Sequence, residues 1–240
     1  MKAVLFDLGH TLINYHNDWR EPERRAVGAV ARMVVETGGN GVDESAVSEH
    51  LLASLERGRQ IKLTEMIEIP LTEVLDDCFH RFSCDGNEEL MVRSLDAFYA
   101  VLLENRKSVP GTNEMLETLK DEGYRIGLVS DVAWGLPSSY PQIDMRHYHL
   151  REYFDDLVFS TDVGLRKPNP RIFKIALANV QSSPKEAVYV GNNLQADIKG
   201  ALGVGMKAIL KESNFFTPDN NIVPSAKIST WDELLAILNG

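Results

Sequence analysis

The sequence has 240 residues, and a hydrophobic fraction of 44% is enough to bury a sizeable core and argues against disorder. Because the formal net charge is −10 at pH 7, we expect neither nucleic acid nor a membrane surface as a partner. The two cysteines, Cys78 and Cys84, make neither a disulfide framework nor a metal-binding spacing, which fits a reducing compartment. No apolar stretch is long enough to span a membrane. The composition therefore predicts a soluble, cytoplasmic protein.

A short apolar segment near the amino terminus runs directly into a carboxylate. Residues Ala3 to Phe6 predict a buried strand of a parallel sheet, and Asp7 and Gly9 follow it. Open α/β sheets bind their ligands at the carboxyl ends of the strands, which makes Asp7 a candidate functional residue. An acid in this position is equally suited to cap a following turn. Taken alone, the stretch leaves both interpretations open.

Residues 15–106 differ in character from the strand that precedes them. Apolar residues recur there at helical spacing, in runs that are separated by glycine-containing breaks at 38–41 and 84–87. We therefore expect about four helices, inserted after the first strand and its turn. The predicted division is a core made of residues 1–14 and 107–240, and an all-α unit made of residues 15–106.

Strands and helices alternate regularly in the rest of the chain. Strands are predicted at 125–129, 157–159, 187–190 and 207–210. Helices are predicted at 112–122, from the Asn169-Pro170 cap to about 179, around Asp197, and from the capping box at 230–233 to 238. The alternation predicts an α/β fold with a doubly wound, Rossmann-like parallel sheet.

Polar residues follow several of these strands at their carboxyl ends. They are Asp7, Ser130 with Asp131, Lys167, and the pair Asn192 and Asp197. Singly, each has an ordinary explanation as a turn residue or a surface charge. All strand ends of a parallel sheet point the same way, however, so these residues share one crevice. Together they supply an acid, a hydroxyl, a fixed positive charge and a metal-type acid, which is the set that phosphoryl transfer needs.

These residues lie in four motifs that resemble motifs I to IV of the haloacid dehalogenase-like (HAD) hydrolases. The motifs are Phe6-Asp7-Leu8-Gly9-His10-Thr11-Leu12, Leu128-Val129-Ser130-Asp131, Gly164-Leu165-Arg166-Lys167-Pro168, and Val190-Gly191-Asn192-Asn193 with Asp197. Their order and spacing agree with that superfamily over the whole chain. The helical unit also stands where the superfamily inserts its C1 cap.

The resemblance implies a Mg²⁺-dependent phosphatase of a small phosphorylated metabolite, with sugar phosphates as one candidate class. Asp7 would attack phosphorus to form an aspartyl phosphate, with Thr11, Ser130 and Lys167 as the other catalytic residues. The implied substrate contacts are Gly9, His10, Ser130, Asp131 and Lys167. The implied Mg²⁺ ligands are Asp7, the Gly9 carbonyl, Asn192 and Asp197. The cap would close over the site, and the protein would be a monomer or a homodimer.

Two positions depart from the superfamily's pattern. Gly9 stands where most of its phosphatases have a second aspartate that acts as general acid and base, a role worth about 10²–10⁴-fold in rate. His10 is a candidate replacement, and it is also a candidate packing residue. Asn192 stands where an acidic metal ligand is usual, which predicts weaker Mg²⁺ binding.

Three other functions remain open on the sequence. A phosphonate-cleaving enzyme tolerates a small residue at the position of Gly9 but needs a cap lysine, for which Lys62 is the main candidate. A metal-independent 2-haloacid dehalogenase also uses a motif I aspartate without the second acid, although Asp131 and Asp197 differ from its pattern. A catalytically weak module that binds a phosphorylated ligand is the non-enzymatic alternative. The substrate is not specified by the motifs. Residues that could line its entrance are Arg57, Arg59, Lys62, Trp134, His147, Tyr148 and His149.

Overall fold

The computed structural model describes residues 3–38, 41–213, 215 and 221–240 of the chain. The strands in chain order are β1 (Ala3–Phe6), β2 (Ile13–Asn14), β3 (Lys107–Ser108), β4 (Arg125–Ser130), β5 (Asp156–Phe159), β6 (Ala187–Gly191), β7 (Lys207–Lys211) and β8 (Ala226–Ile228). All except β2 and β3 form one sheet in the order β5-β4-β1-β6-β7-β8, and each adjacent pair is parallel. The predicted doubly wound parallel sheet is therefore confirmed. Five of its strands agree with the predicted bounds to within one residue, and β8 was not predicted.

Strand β1 lies inside this sheet, between β4 and β6. Val4 and Phe6 belong to the hydrophobic core on one face, while Ala3 and Leu5 belong to the core on the other. Burial on both faces is the reason for the uninterrupted apolar run in the sequence. Because the strand order reverses direction at β1, the residue that follows it stands at the switch point of the sheet, where such folds bind their ligands.

Helices cover both faces of the sheet. They are α5 (Thr112–Asp121), α6 (Ser139–His147), α7 (Ser160–Val163), α8 (Pro170–Asn179), α9 (Lys199–Gly203) and α10 (Trp231–Asn239), with a turn of π-helix at Leu194–Ile198 before α9. The predicted caps are present. Asn169, which directly precedes Pro170, accepts a hydrogen bond from the Arg171 N–H through its side chain. Thr230 forms a complete capping box with Glu233.

The expected helical insertion follows β2. Its helices are α1 (Arg20–Gly38), α2 (Glu44–Glu65), α3 (Leu71–Arg81) and α4 (Glu88–Leu103), and β3 comes directly after them. Residues 39 and 40 of the first predicted break lie outside the described residues. The antiparallel pair of β2 and β3 is where the chain leaves and re-enters the core, and we propose that the cap spans residues 15–106 between them.

The segment between α2 and α3 contacts the core directly. Ile67 forms an antiparallel bridge with Leu165, which is two residues before Lys167. The Glu68 N–H donates to the Gly164 carbonyl at 3.1 Å, and the Arg166 N–H donates to the Met66 carbonyl at 3.0 Å. The insertion is thus held by main-chain bonds to the loop that carries Lys167. None of the helices in the described ranges has the length and apolar character needed to cross a membrane.

Candidate active site

A cavity of about 550 Å³ lies at the carboxyl ends of β1, β4 and β6. The residues that line it include every one predicted from the strand ends, namely Asp7, Ser130, Asp131, Lys167, Asn192 and Asp197, and also Gly9 and His10, which the resemblance implied. Thr11 is fully buried behind Asp7 and donates to its carboxylate. The fold therefore brings together residues that are up to 190 positions apart in the chain, 7 to 197.

Lys167 is the centre of the polar contacts at the base of this cavity. Its Nζ lies 2.6 Å from Asp7 Oδ1 and 2.7 Å from Asp197 Oδ1, and its other contacts are the Val129 carbonyl at 3.0 Å and the Tyr189 hydroxyl at 3.1 Å. Burial alone would lower the pKa of Lys167, but Asp197 and Asp7 hold it well above its usual value. The ammonium is therefore a permanent positive charge beside Asp7.

Asp7 has both carboxylate oxygens fixed. Oδ1 accepts from Lys167, and Oδ2 accepts from the Thr11 hydroxyl at 3.0 Å. Burial raises the pKa of Asp7 to about 7, with a further contribution from Asp197, while Lys167 and Thr11 oppose the rise. Two buried carboxylates share one ammonium here, so the three groups carry a net negative charge when all are ionised.

Oxygen atoms suited to bind Mg²⁺ surround Asp7. The carboxylates of Asp7 and Asp197 meet at the same ammonium, and Asn192 uses its amide nitrogen to donate to Ser213 Oγ at 3.2 Å. The carboxylate oxygens of Asp7 and Asp197, the amide oxygen of Asn192 and the Gly9 carbonyl are the hard ligands that Mg²⁺ prefers. The net negative charge of the two carboxylates and Lys167 also favours a cation. In the described part of the chain, no three His, Cys, Asp or Glu residues cluster as metal ligands. The set fits Mg²⁺, which keeps several waters and takes phosphate oxygens as ligands.

His10 is a packed aromatic residue in this structure. Its ring stacks on Phe215 with 4.2 Å between centroids and 9° between planes, and its backbone is left-handed, with φ of 60°. Burial lowers the pKa of His10 to about 4, so the imidazole is neutral near pH 7. Its buried Nε2 has no hydrogen-bond partner among the described residues. A neutral ring has no proton to spare as an acid, but it can make a hydrogen bond to a ligand.

Asp131 holds the backbone of the loop that carries Lys167. Its Oδ1 accepts from the Lys167 N–H at 3.0 Å, and its Oδ2 lies 3.6 Å from the Arg166 guanidinium. Burial raises the pKa of Asp131, and Arg166 and Lys167 oppose the rise. Ser130, at the end of β4, is buried beside it and lines the cavity.

Several supporting residues were not indicated by the sequence. Glu68, from the segment between α2 and α3, has a fully buried carboxylate that accepts from Arg166 at 2.6 Å and pairs with Lys62 at 2.8 Å. It also accepts from the Ser160 hydroxyl, which in turn accepts from the Val132 N–H at 3.0 Å. Ser160 directly follows β5, so the strand-end rule could have found it. No local pattern distinguishes Glu68 from a surface glutamate.

The entrance residues suggested by the sequence divide into two groups. Arg59, Lys62 and Trp134 line the cavity, together with Tyr15 and Trp19, which the sequence did not single out. Arg57, His147, Tyr148 and His149 are not among the lining residues that the structure describes. Arg57 instead donates to the Ser54 hydroxyl at 2.7 Å on its own helix.

The fold and this arrangement of side chains define a class of hydrolase. The family model described as haloacid dehalogenase-like hydrolase matches residues 1–205, and the chain belongs to this family. Among its relatives, a glyceraldehyde 3-phosphate phosphatase of Pyrococcus furiosus is 29% identical over 210 residues, which cover 87% of this chain and 80% of that protein.

Solved structures agree with this assignment. A HAD phosphatase from Thermococcus onnurineus superposes with a TM-score of 0.64 at 27% identity, covering 100% of this chain and 99% of that one. A 2-haloacid dehalogenase from Pseudomonas syringae pv. Tomato DC3000 superposes with a TM-score of 0.70 at 24% identity, covering 100% and 98%. At that identity the second likeness concerns the fold alone.

Proposed function

We propose that this protein is a Mg²⁺-dependent phosphatase that hydrolyses a small phosphorylated metabolite, a sugar phosphate by class, through an aspartyl phosphate on Asp7. The observation that carries the proposal is the position of the Asp7 carboxylate. It stands at the switch point of the sheet, held by Lys167 and Thr11, on the wall of a cavity that also presents Ser130 and Asp197. The name of the Pyrococcus furiosus relative supports a sugar phosphate as the substrate class.

The proposed reaction starts with the phosphoryl group bound between Lys167 and Ser130. Because Lys167 is permanently charged, it offsets the repulsion between a dianionic ester and the Asp7 carboxylate. An oxygen of Asp7 forms a bond to phosphorus while the bond from phosphorus to the leaving oxygen breaks. Water then attacks the phosphorus of the aspartyl phosphate, which releases inorganic phosphate and regenerates the carboxylate.

Asp7, the Gly9 carbonyl, Asn192 and Asp197 would hold Mg²⁺, and the bound ion would supply further positive charge to the phosphoryl oxygens. The leaving oxygen needs a proton, and neither Gly9 nor a neutral His10 is suited to donate one. We infer that the proton comes from water. The enzyme should then act best on esters whose leaving groups need little protonation.

Phosphate release from a panel of sugar phosphates and an aryl phosphate, with Mg²⁺ and with EDTA, tests the proposal. We expect Mg²⁺-dependent turnover in the wild type and at least about a 10³-fold loss in Asp7→Asn, since the nucleophile is removed. Circular dichroism of the variant checks that it is folded. Turnover that survives Asp7→Asn contradicts the proposal.

The alternatives give different outcomes in the same assay. Release of chloride from 2-chloropropionate without Mg²⁺, and of no phosphate from any ester, indicates a dehalogenase. Binding of a phosphorylated ligand without any turnover indicates a binding module. Either result overturns the phosphatase assignment.

A further inference from the structure

Aromatic side chains form one wall of the cavity, and we call them the aromatic wall. They are His10, Tyr15, Trp19, Trp134 and Phe215. Their rings contact one another. Trp19 and Trp134 meet edge-to-face at 5.4 Å between centroids, and His10 lies 6.3 Å from Tyr15, 6.4 Å from Trp19 and 4.2 Å from Phe215. These residues come from three separate segments of the chain, so the wall is a product of the tertiary fold.

Two of these rings are held on a strained backbone. His10 has φ of 60° and Trp134 has φ of 53°, in the left-handed region that residues other than glycine rarely adopt. The Trp134 indole is fixed by a hydrogen bond from Nε1 to Glu23 Oε2 at 2.7 Å. Strain of this kind persists where the surrounding structure enforces it, and it clusters at sites that hold ligands.

The cations that line the cavity around this wall already have anionic partners, and Arg20 differs from the others in that its pair with Asp18 is exposed to solvent. Arg59 pairs with Glu23 at 2.7 Å on the cavity side and with Glu56 at 2.7 Å on the exposed side. Lys62 and Arg166 share the fully buried Glu68. A second anionic group that binds Arg59, Lys62 or Arg166 would have to compete with Glu23 or Glu68, and displacing either would leave a buried carboxylate without its compensation.

The aromatic wall and the paired charges together restrict the chemistry of the substrate's leaving group. The inference drawn from them rests on the proposed phosphatase function. We infer that the cavity selects phosphate monoesters whose leaving group is uncharged and carries a ring. Aromatic faces bind the apolar face of a sugar, a nucleobase or an aryl group, and none of these needs a free cation. Trp19 and Trp134 are the specificity-determining residues, and Glu23 keeps Arg59 from serving a second anion.

A first experiment compares kcat/KM across substrates that differ in ring and charge. Three substrates carry a ring and a single phosphate: glucose 6-phosphate, a nucleoside 5′-monophosphate and phenyl phosphate. Comparing them also shows whether the cavity prefers a sugar, a nucleoside or an aryl ring. Glycerol 1-phosphate has no ring, and fructose 1,6-bisphosphate has a second anion. We expect the better of glucose 6-phosphate and the nucleoside monophosphate, which are alkyl esters like glycerol 1-phosphate, to exceed each of the other two by about tenfold or more. A bisphosphate or an acyclic ester that equals or exceeds both of these ring-bearing alkyl monoesters overturns the inference.

A second experiment uses variants of the wall. Trp19→Leu should lower kcat/KM for the best ring-bearing ester by about three- to tenfold and change glycerol 1-phosphate less than twofold, because stacking is lost. Trp19→Phe should restore most of the loss. If both substrates fall equally in Trp19→Leu, Trp19 has a structural role only, and the inference is wrong.

A third experiment tests the paired charges. Glu23→Gln keeps an acceptor for the Trp134 indole but frees Arg59 on the cavity side, so the ratio of bisphosphate to monophosphate kcat/KM should rise at least about threefold. Glu56→Gln is the matched control, because it removes a charge from the same arginine on the exposed side, and it should leave the ratio unchanged. An unchanged ratio in Glu23→Gln contradicts this part of the inference.

These outcomes are distinguishable from failure of the proposed function. If no phosphate ester is hydrolysed, or if Asp7→Asn remains active, the phosphatase assignment fails before selectivity is measured. If Asp7-dependent hydrolysis is present but shows no preference for uncharged, ring-bearing leaving groups, only the selectivity inference fails.

Discussion

Glu68 in the segment between α2 and α3 accepts a hydrogen bond from Arg166, the residue before Lys167, at 2.6 Å. A carboxylate of the helical insertion is therefore bonded to the core loop that carries the lysine beside Asp7. The same carboxylate reaches the loop after β4 through Ser160 and the Val132 N–H. The position of the insertion and the geometry of the site are thus physically linked.

Replacement of Glu68 should show this link. In Glu68→Gln, Lys62 and Arg166 lose their shared buried counter-charge, and breaking a buried pair typically destabilises by about 3–5 kcal/mol. We expect a lower unfolding free energy in urea together with a lower kcat. Glu65→Gln, which changes an exposed glutamate at the end of α2, is the control. Equal behaviour of the two variants would show that the buried contact has no such role.

Gly9→Asp should restore the missing proton donor. A Cβ at Gly9 would come no closer than 4.0 Å to the Tyr15 ring, so the position has room for a side chain. We expect kcat on alkyl phosphates to rise by roughly tenfold or more, and kcat on an aryl phosphate to change little, because only the poor leaving group needs protonation. Gly9→Asn, which fills the same space without an acid, serves as the control. An equal effect on both esters argues against a missing acid.

His10 should make stability, but not the neutral activity profile, depend on pH. Its pKa falls from an ordinary 6.5 to about 4 on folding, so between these values the unfolded chain binds a proton that the folded chain does not. The contribution of neutral His10 to the free energy of unfolding is therefore lost as the pH falls below 6.5. The loss is about 2 kcal/mol between pH 7 and pH 5.

The comparison that isolates this effect is the change in unfolding free energy between pH 7 and pH 5 in wild type and in His10→Phe, which keeps a ring to stack on Phe215. We expect the variant to lose about 2 kcal/mol less than the wild type over that interval. The pH profile of kcat between 6 and 8 should be the same in both. A limb near neutrality that disappears in His10→Phe would instead identify His10 as a proton donor.

Asn192→Asp should strengthen Mg²⁺ binding. The change adds a carboxylate to a cavity that already holds Asp7 and Asp197, and affinity for hard cations rises with the charge of the ligands. We expect the Mg²⁺ concentration that gives half-maximal activity to fall on the order of tenfold, and the metal-free protein to lose stability by like-charge repulsion. Asn193→Asp adds the same charge at the neighbouring helix cap and should have a smaller effect. A metal requirement unchanged by Asn192→Asp removes Asn192 from the proposed ligand set.

Much of the fold was predictable because its signals are local. The apolar run of β1, the caps at Asn169-Pro170 and Thr230, and the helical periodicity of residues 15–106 each depend on neighbours a few positions away. Strand β8 and helix α6 were missed because their local signals are weak. Strand β8 has three residues with Ile228 buried, and α6 buries Asp144 and Met145.

The α/β core, the helical insertion and the polar residues at the strand ends were predictable from the sequence, since parallel strands bring all of those ends to one edge. The contacts that these polar residues make with distant segments became visible only in the folded chain. Glu68 meets Arg166 across 98 positions of sequence, and Trp134 meets Glu23 across 111. The neutral state of His10 follows from its burial, and burial is set by contacts between distant segments that no local pattern encodes.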